Sequence, residues 1–180
     1  MVQSSMVPEP CRVLEVVRQT PKEILLVVEA PKQAPFQPDP GQFVMVSLPG
    51  IGEAPISLAA LPGEGTPEGT FELLVRRAGR LTNLVTRLVA GEVLYVRGPY
   101  GRRVAWDQFE GSNVMLVAGG LGLAPLRPFV RRALIRREKF RHIDVLIGAR
   151  GPEELLFRDD LASWKARRDD VRVLLTVDAA

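Results

Sequence analysis

The chain has 180 residues, of which 46% are hydrophobic, and its formal net charge at pH 7 is +3. That length suits one large domain or two small ones, and so small a charge gives no electrostatic case for nucleic acid as a partner. Its one cysteine, Cys11, excludes an intrachain disulfide framework and a cysteine-ligated cluster built from these residues. Because there is neither a signal-peptide pattern nor an apolar run of about 20 residues, we expect a cytoplasmic protein without membrane insertion.

Six short apolar segments, separated by proline and glycine, occupy the first hundred residues. They are residues 11–19, 24–30, 42–48, 56–60, 70–77 and 92–98. In the fifth segment Phe71, Leu73 and Val75 alternate with Glu72 and Arg76, which predicts a strand with one sheet face toward water. Segments of this length and spacing favour a small antiparallel barrel or sandwich.

A glycine-rich turn follows the first apolar run of the second half. Residues 114–118 lead directly into Gly119, Gly120 and Gly122, and a helical pattern begins immediately afterwards. Glycines let the backbone turn sharply and leave no side chain in the way of a phosphate, while a helix start presents unpaired N–H groups to it. The turn therefore predicts a dinucleotide pyrophosphate site, with an ordinary strand-to-helix turn of an α/β protein as the alternative.

The second half alternates strand, helix, strand, helix and strand. Its strands are predicted at residues 114–118, 143–149 and 171–177, and its second helix from Pro152. Such alternation implies right-handed crossovers and a parallel sheet, and the continuous apolar strand predicts that both sheet faces are covered. Three strands are half of an ordinary dinucleotide-binding sheet, so we expect further chain, a partner or a second copy, as a homo- or hetero-oligomer, to cover the open edge.

Arginines are concentrated on and just beyond the first of these helices. A solvated helix face is the favoured interpretation, docking to an acidic partner subunit is the second, and nucleic acid is a distant third because interleaved aromatic residues are missing. The residues concerned are Arg127, Arg131, Arg132, Arg136 and Arg137.

Four motifs in a fixed order carry a resemblance that covers nearly the whole chain. They are Gly-Glu-Ala-Pro-Ile-Ser at 52–57, Gly-Arg-Leu-Thr-Asn-Leu at 79–84, Gly-Pro-Tyr-Gly at 98–101 and Ala-Gly-Gly-Leu-Gly-Leu-Ala-Pro-Leu-Arg-Pro at 118–128. With Gly-Ala-Arg at 148–150, this order resembles the ferredoxin–NADP reductase superfamily. It looks most like the electron-transfer subunits of hydrogenases, sulfhydrogenases and anaerobic sulfite reductases, with dihydroorotate dehydrogenase electron-transfer subunits as near relatives.

The resemblance implies a six-stranded antiparallel FAD-binding barrel in residues 1–108, followed in residues 109–180 by the first half (βαβαβ) of a Rossmann-like NAD(P)-binding domain. It implies that Ser57, which matches a serine after the flavin strand, lies near flavin N5 as the catalytic residue; the alternative is an ordinary Pro-Ile-Ser turn between strands. Ala54 stands where an arginine usually meets the flavin pyrophosphate, and Ile56 where a tyrosine often stacks on the ring. The other flavin-side residues are Pro55, Arg76 as the favoured cation, Gly79, Arg80, Leu81, Thr82 at the start of a helix, and Gly98.

On the nucleotide side the resemblance implies a site made of Gly119, Gly120, Gly122, Pro125 and Arg150. No acidic residue ends the second predicted parallel strand, so the choice between NADH and NADPH stays open. A 2Fe-2S cluster cannot form within this chain, because the four cysteines that hold it in relatives are absent.

The implied function is electron transfer, in which a hydride passes between NAD(P)H and FAD and electrons continue to an iron–sulfur or catalytic subunit of a redox complex. A non-catalytic interaction subunit, which keeps the scaffold without full cofactor binding, is the alternative. Ala54 and Ile56 favour that alternative, whereas Ser57, Thr82 and the glycine turn oppose it.

Overall fold

The first half of the chain forms a closed barrel. A computed structural model describes residues 6–32, 36–167 and 170–178. Six antiparallel strands close in the order β1-β2-β5-β4-β3-β6, which confirms the predicted barrel. These strands are β1 (Glu9–Arg18), β2 (Glu23–Glu29), β3 (Phe43–Leu48), β4 (Gly52–Ala60), β5 (Thr70–Arg76) and β6 (Val93–Tyr100), and a short helix, α1 (Arg80–Val85), joins β5 to β6.

Alternating apolar residues of the six strands fill the barrel interior. Leu26 and Val28 of β2, for example, have no exposed surface, and neither does Phe71 of β5. The ring of Phe36 packs against these buried residues of the barrel interior, with its centroid 4.9 Å from that of the Phe71 ring. The period of two in the sequence therefore describes the inner barrel wall.

The second half forms a parallel sheet with helices, as predicted. Strands β7 (Asn113–Gly119), β8 (His142–Ala149) and β9 (Arg172–Val177) lie in the order β7-β8-β9 and pair in parallel. Helix α2 (Leu123–Ile135) connects β7 to β8, and helix α3 (Arg158–Ala166) connects β8 to β9. Short 3-10 turns complete this half at Trp106–Phe109, Gly120–Gly122, Arg137–Lys139 and Pro152–Glu154.

Only one face of this sheet is covered in the described structure, so the prediction of two covered faces is wrong. Met115 and Val117 of β7 are 59% and 63% exposed, and Leu174 of β9 is 47% exposed. Residues of the opposite face, such as Val145 and Ile147, are buried in one cluster with α2 and α3. The reason is topological: two right-handed crossovers that progress in one direction bring both helices to the same face.

Two predicted boundaries are corrected. Pro152 begins a 3-10 turn, and α3 starts only at Arg158, after Phe157 in the left-handed backbone region (φ 52°). The fourth strand, predicted at residues 56–60, begins at Gly52, since Gly52 to Ser57 pair continuously with β3. Pro55 is tolerated there because the described pairing of β4 with β5 begins only at Leu58, so no neighbour on that side requires its missing N–H.

Candidate functional site

A cleft of about 790 Å³ lies between the barrel and the carboxyl ends of the parallel strands. On the barrel side it is lined by the β1–β2 turn and the end of β5. On the sheet side it is lined by the segments that follow β7 and β8. The lining residues are 20–23, 76–77, 119–121, 148–150, 153–154 and Asp178. The carboxyl edge of an open parallel sheet is where such folds bind ligands.

The glycine turn forms one wall of this cleft. Gly119 is extended (φ −111°), Gly120 has φ +49°, and Gly122 is the N-cap of α2. A Cβ added at any of the three would meet no protein atom within 4 Å. Packing within the protein therefore does not require glycine here, and the turn leaves open space in front of the unpaired N–H groups at the helix start.

Four predicted site residues come together in the cleft: Arg76, Gly119, Gly120 and Arg150. Gly122 and Pro125 are not among its lining residues; they lie at the N-cap and in the first turn of α2. Arg76 is held in place because its Nε donates to the buried carboxylate of Glu23. Arg76 is also the last residue of β5. It therefore lies three residues before Gly79, which is one of the predicted flavin-side residues.

The flavin-side residues Ser57 and Gly98 lie on the two strands that flank the beginning of β3, Ser57 on β4 and Gly98 on β6. Ser57 pairs with Phe43 of β3, and Phe43 pairs with Tyr100 of β6, so the three positions are adjacent across the sheet. The rings of Phe43 and Tyr100 lie 5.9 Å apart. Gly98 has φ +129°, and a Cβ there would come within 3.2 Å of the Tyr100 side chain. Backbone conformation and packing therefore favour glycine at this position whether or not a ligand binds.

Helix α1 lies beside this group and contacts β3, β4 and β5. Its N-cap is Gly79, and Thr82 is the third helical residue. The Thr82 hydroxyl accepts hydrogen bonds from the backbone N–H groups of Ala78 (3.0 Å) and Gly79 (2.9 Å). Leu81 is buried and Arg80 is exposed. The predicted position of Thr82 at the helix start is thus correct, although the capping residue is a glycine.

The structure does not bring all the predicted residues into one pocket. Ser57 is half-buried, and neither it nor Ala54, Pro55 and Ile56 is among the residues that line the cleft. Arg76, by contrast, belongs to the cleft wall while ending a strand antiparallel to β4. The predicted nucleotide-side and flavin-side residues therefore do not surround one shared cavity. Arg76 is the flavin-side residue that also lines the cleft with the nucleotide-side glycines.

Of the charged residues in the cleft wall, Lys22, Glu153, Glu154 and Asp178 were not predicted from the sequence. Lys22 and Arg77 contribute positive charge, whereas Glu153, Glu154 and Asp178 contribute negative charge. Lys22 follows a turn closed by the Thr20 hydroxyl, which accepts from the N–H groups of Lys22 and Glu23. A Thr-Pro-Lys-Glu run is recognisable as a turn, but nothing in it indicates that the turn faces the second sheet.

The interpretation of the arginines as a solvated face is wrong for Arg127, Arg131 and Arg132 of α2, and Arg137 just beyond the helix is half-buried as well. Arg127 is only 4% exposed, although Arg136 is exposed. Arg131 and Arg132 are half-buried, and Arg132 hydrogen-bonds Glu64 on the barrel (2.9 Å). The reason is that this helix face packs against the barrel, which offers carboxylates to it.

The expectation that Glu72 faces water is wrong for the same reason. This β5 residue is 8% exposed and pairs with Arg127 of α2.

Over residues 6–32, 36–167 and 170–178, no three or more His, Cys, Asp or Glu side chains are grouped so that they could hold a metal ion. In the same ranges, no helix has the length and apolar content needed to cross a membrane.

The barrel, the parallel sheet and the glycine turn at its carboxyl edge together define a ferredoxin–NADP reductase-like fold. A ferredoxin–NADP⁺ reductase from Neisseria gonorrhoeae, solved with bound FAD and NADP, superposes with a TM-score of 0.78 over 97% of this chain and 69% of its own, at 19% identity. At that identity the likeness establishes the fold alone.

Sequence comparisons are more specific. Residues 116–180 match the oxidoreductase NAD-binding domain family. Over 140 residues (77% of this chain, 47% of the relative) the sequence is 41% identical to the sulfhydrogenase 1 gamma subunit of Pyrococcus furiosus. Over 157 residues (87% and 55%) it is 33% identical to a probable dihydroorotate dehydrogenase B electron transfer subunit of Methanopyrus kandleri.

The predicted resemblance is confirmed: residues 116–180 match the oxidoreductase NAD-binding domain family, the sequence is similar to these electron-transfer subunits, and the fold is ferredoxin–NADP reductase-like. The chain spans about half the length of the curated relatives it matches.

Proposed function

We propose that this protein is a flavin-dependent electron-transfer module that passes a hydride between NAD(P)H and FAD and hands electrons to an iron–sulfur or catalytic partner subunit. The observation that carries the proposal is the cleft in which the glycine turn faces Arg76 at the end of a barrel strand. Support comes from sulfhydrogenase and dihydroorotate dehydrogenase subunits at 41% and 33% identity. In this proposal residues 1–108 form the FAD-binding domain and residues 109–180 the NAD(P)-binding domain.

The glycine turn is the proposed pyrophosphate site of NAD(P)H. Gly119 and Gly120 leave the backbone open to the phosphates, and the start of α2 directs N–H groups and a positive dipole end at them. Arg150, exposed at the end of β8, is proposed to contact the adenosine ribose or its phosphate. Gly122 and Pro125 act indirectly, because they set the entry into the helix.

The residues at the start of β4 fit a flavin. Among the described residues the Ser57 hydroxyl has no hydrogen-bond partner, so it is free to bond N5 of the ring. Ala54 and Ile56 offer an aliphatic surface to the ring face, and Arg76 and Arg80 are the cations available to the phosphates. The start of α1, ordered by Thr82, adds backbone N–H donors. Bound FAD would supply the conversion between two-electron and one-electron transfer, while these side chains bind and orient it.

A visible spectrum of the purified protein with added FAD tests the proposal. Bands near about 370 and 450 nm that remain after gel filtration are expected, as is their bleaching by NADH or NADPH. Ser57→Ala should slow the bleaching, whereas Ser163→Ala, a matched change on the exposed side of α3, should not. A protein that binds no FAD would contradict the proposal.

A non-catalytic interaction subunit is the second candidate function. Two features favour it: Ala54 and Ile56 stand where the resemblance implies an arginine and a tyrosine in the wider superfamily, and the apolar side chains of Met115 and Val117 are exposed on the open sheet face. This candidate predicts a colourless protein that binds a partner without flavin, so the same spectrum separates the two functions.

A further inference from the structure

Arg127 of α2 connects three elements through one buried side chain. Its Nη1 donates to the backbone carbonyl of Ala59 in β4 (3.1 Å) and to the carboxylate of Glu72 in β5. Its Nε donates to Asp160 of α3 (2.6 Å). Its guanidinium carbon also lies 4.4 Å from the centre of the Phe157 ring. The barrel, α2 and α3 therefore meet at one guanidinium group.

The charges around this group are balanced. Arg127 faces two carboxylates, Glu72 and Asp160, and Asp160 also pairs with Arg131 at 3.2 Å. A buried charge is costly unless it is paired and hydrogen-bonded. Buried ion pairs add little net stability compared with apolar residues of the same size, but the planar guanidinium fixes the direction of every bond it makes. Such a cluster constrains geometry more than it adds to the free energy of folding.

The position of the cluster relates it to the cleft. Arg127 is the fifth residue of α2, which begins directly after the glycine turn. Glu72 lies four residues before Arg76 on β5. Arg127 is about 6 Å along the helix from the start of α2, and Glu72 is about 13 Å along the strand from Arg76. Neither path contains a loop. The Arg127–Glu72 ion pair thus joins α2, which begins at the glycine turn in one cleft wall, to β5, which ends at Arg76 in the other wall.

A second contact between the same parts lies further along α2. Arg132 pairs with Asp39 (2.9 Å) and Glu64 on barrel loops, and Arg131 donates to the Glu64 carbonyl (3.2 Å). These partners are more exposed and belong to loops rather than strands, so they restrict the approach of α2 to the barrel less sharply than Glu72 does.

We propose that Arg127 is a positioning residue: through Glu72 and Asp160 it fixes the separation of the glycine turn from Arg76 and so holds NAD(P)H within reach of the flavin. This inference rests on the proposed function. It predicts that disrupting the Arg127 cluster slows hydride transfer between bound NAD(P)H and FAD, whereas the affinity of the protein for NAD(P)H and for FAD stays the same. Displacements of about 1 Å at a reacting centre can cost roughly 100-fold in rate.

The test uses the full-length, FAD-loaded protein with Arg127→Met, Arg127→Lys and Glu72→Gln, and Arg136→Met as the matched control on exposed surface. Stopped-flow flavin reduction at saturating NADH is expected to slow by about 10- to 100-fold in Arg127→Met, with partial recovery in Arg127→Lys. The dissociation constants of FAD and NADH should stay within about threefold, a change of less than 1 kcal/mol. Arg136→Met should match the wild type.

A distance measurement tests the inference independently of catalysis. Spin labels at Arg12→Cys on the barrel and Glu138→Cys beyond α2, both exposed positions, should give a narrow distance distribution that broadens in Arg127→Met. If that variant does not fold, Glu72→Gln decides, because it removes one charge and keeps the shape. An unchanged distribution together with an unchanged reduction rate would overturn the inference. A wild-type flavin that NADH and NADPH do not reduce would instead overturn the proposed function, and the distance measurement would still stand.

Discussion

Replacement of Gly119 by alanine should move the stability of the empty protein and its affinity for nucleotide in opposite directions. Gly119 has an extended backbone (φ −111°, ψ 122°) that alanine adopts freely, and the added Cβ meets no protein atom within 4 Å. A Gly-to-Ala change at such a position stabilises by about 0.4–1 kcal/mol, because it reduces the entropy of the unfolded chain. The same methyl group would stand in the cleft wall, where the phosphates are proposed to approach the backbone.

Urea denaturation without ligand measures the first effect, and calorimetric titration with NADH measures the second. We expect the dissociation constant to rise at least about tenfold, which corresponds to about 1.4 kcal/mol of lost binding free energy. Gly120→Ala, at φ +49°, should weaken binding and also destabilise the fold by about 1–2 kcal/mol. Gly111→Ala, at φ +73° and away from the cleft, is its control for backbone strain alone. If Gly119→Ala binds NADH as tightly as the wild type, the glycine turn is not the pyrophosphate site.

Three further predictions concern stability and reactivity. Phe71→Ala should destabilise the barrel by about 3–5 kcal/mol in urea denaturation, because the ring is fully buried against Phe36. Burial raises the pKa of the Cys11 thiol to about 12, so mass spectrometry should show iodoacetamide labelling at pH 8 only after unfolding. The hydrogen bond from Arg97 (2.9 Å) lowers the pKa of Glu53 below its ordinary 4.5, so this contact stabilises the fold above that pH and is lost as pH falls through the lowered pKa. The difference in unfolding free energy between wild type and Glu53→Gln should therefore shrink below pH 4.5, and a difference that grows there would contradict the assignment.

Local patterns were sufficient for most of the secondary structure. The alternation of Phe71, Leu73 and Val75 places β5 and its inner face, and the three glycines place the turn between β7 and α2. These features depend on neighbours in sequence, because side-chain period and backbone freedom are properties of a few consecutive residues. The starts of β4 and α3 were exceptions. Pro152 is a good first helical residue, yet it begins a 3-10 turn, and the helix starts after Phe157.

The candidate site was predictable only in part. The motifs predicted Arg76, Gly119, Gly120 and Arg150 as site residues, and the structure brings these four into one cleft. Ser57 remains a prediction, since it lies on β4 outside the cleft wall. Lys22 enters the cleft from the β1–β2 turn, and no local pattern could show this, because the approach of that turn to the second sheet depends on how the two halves pack.

The barrel strands, the parallel strands and the glycine turn could be predicted from the sequence, because each follows from periodicity or backbone freedom within a short segment, while the choice of a barrel over a sandwich rested on the family resemblance. The environment of charged and apolar groups that face another element could be known only from the packing of the whole chain. Arg127 and Glu72 are each predicted to face solvent from their own segment, and they are buried because α2 packs on β4, where Arg127 reaches Glu72 on the neighbouring strand β5. Met115 and Val117 read as core and are exposed because both crossovers bring their helices to the other face. Burial is a property of the surface that covers a residue, and that surface comes from distant parts of the chain.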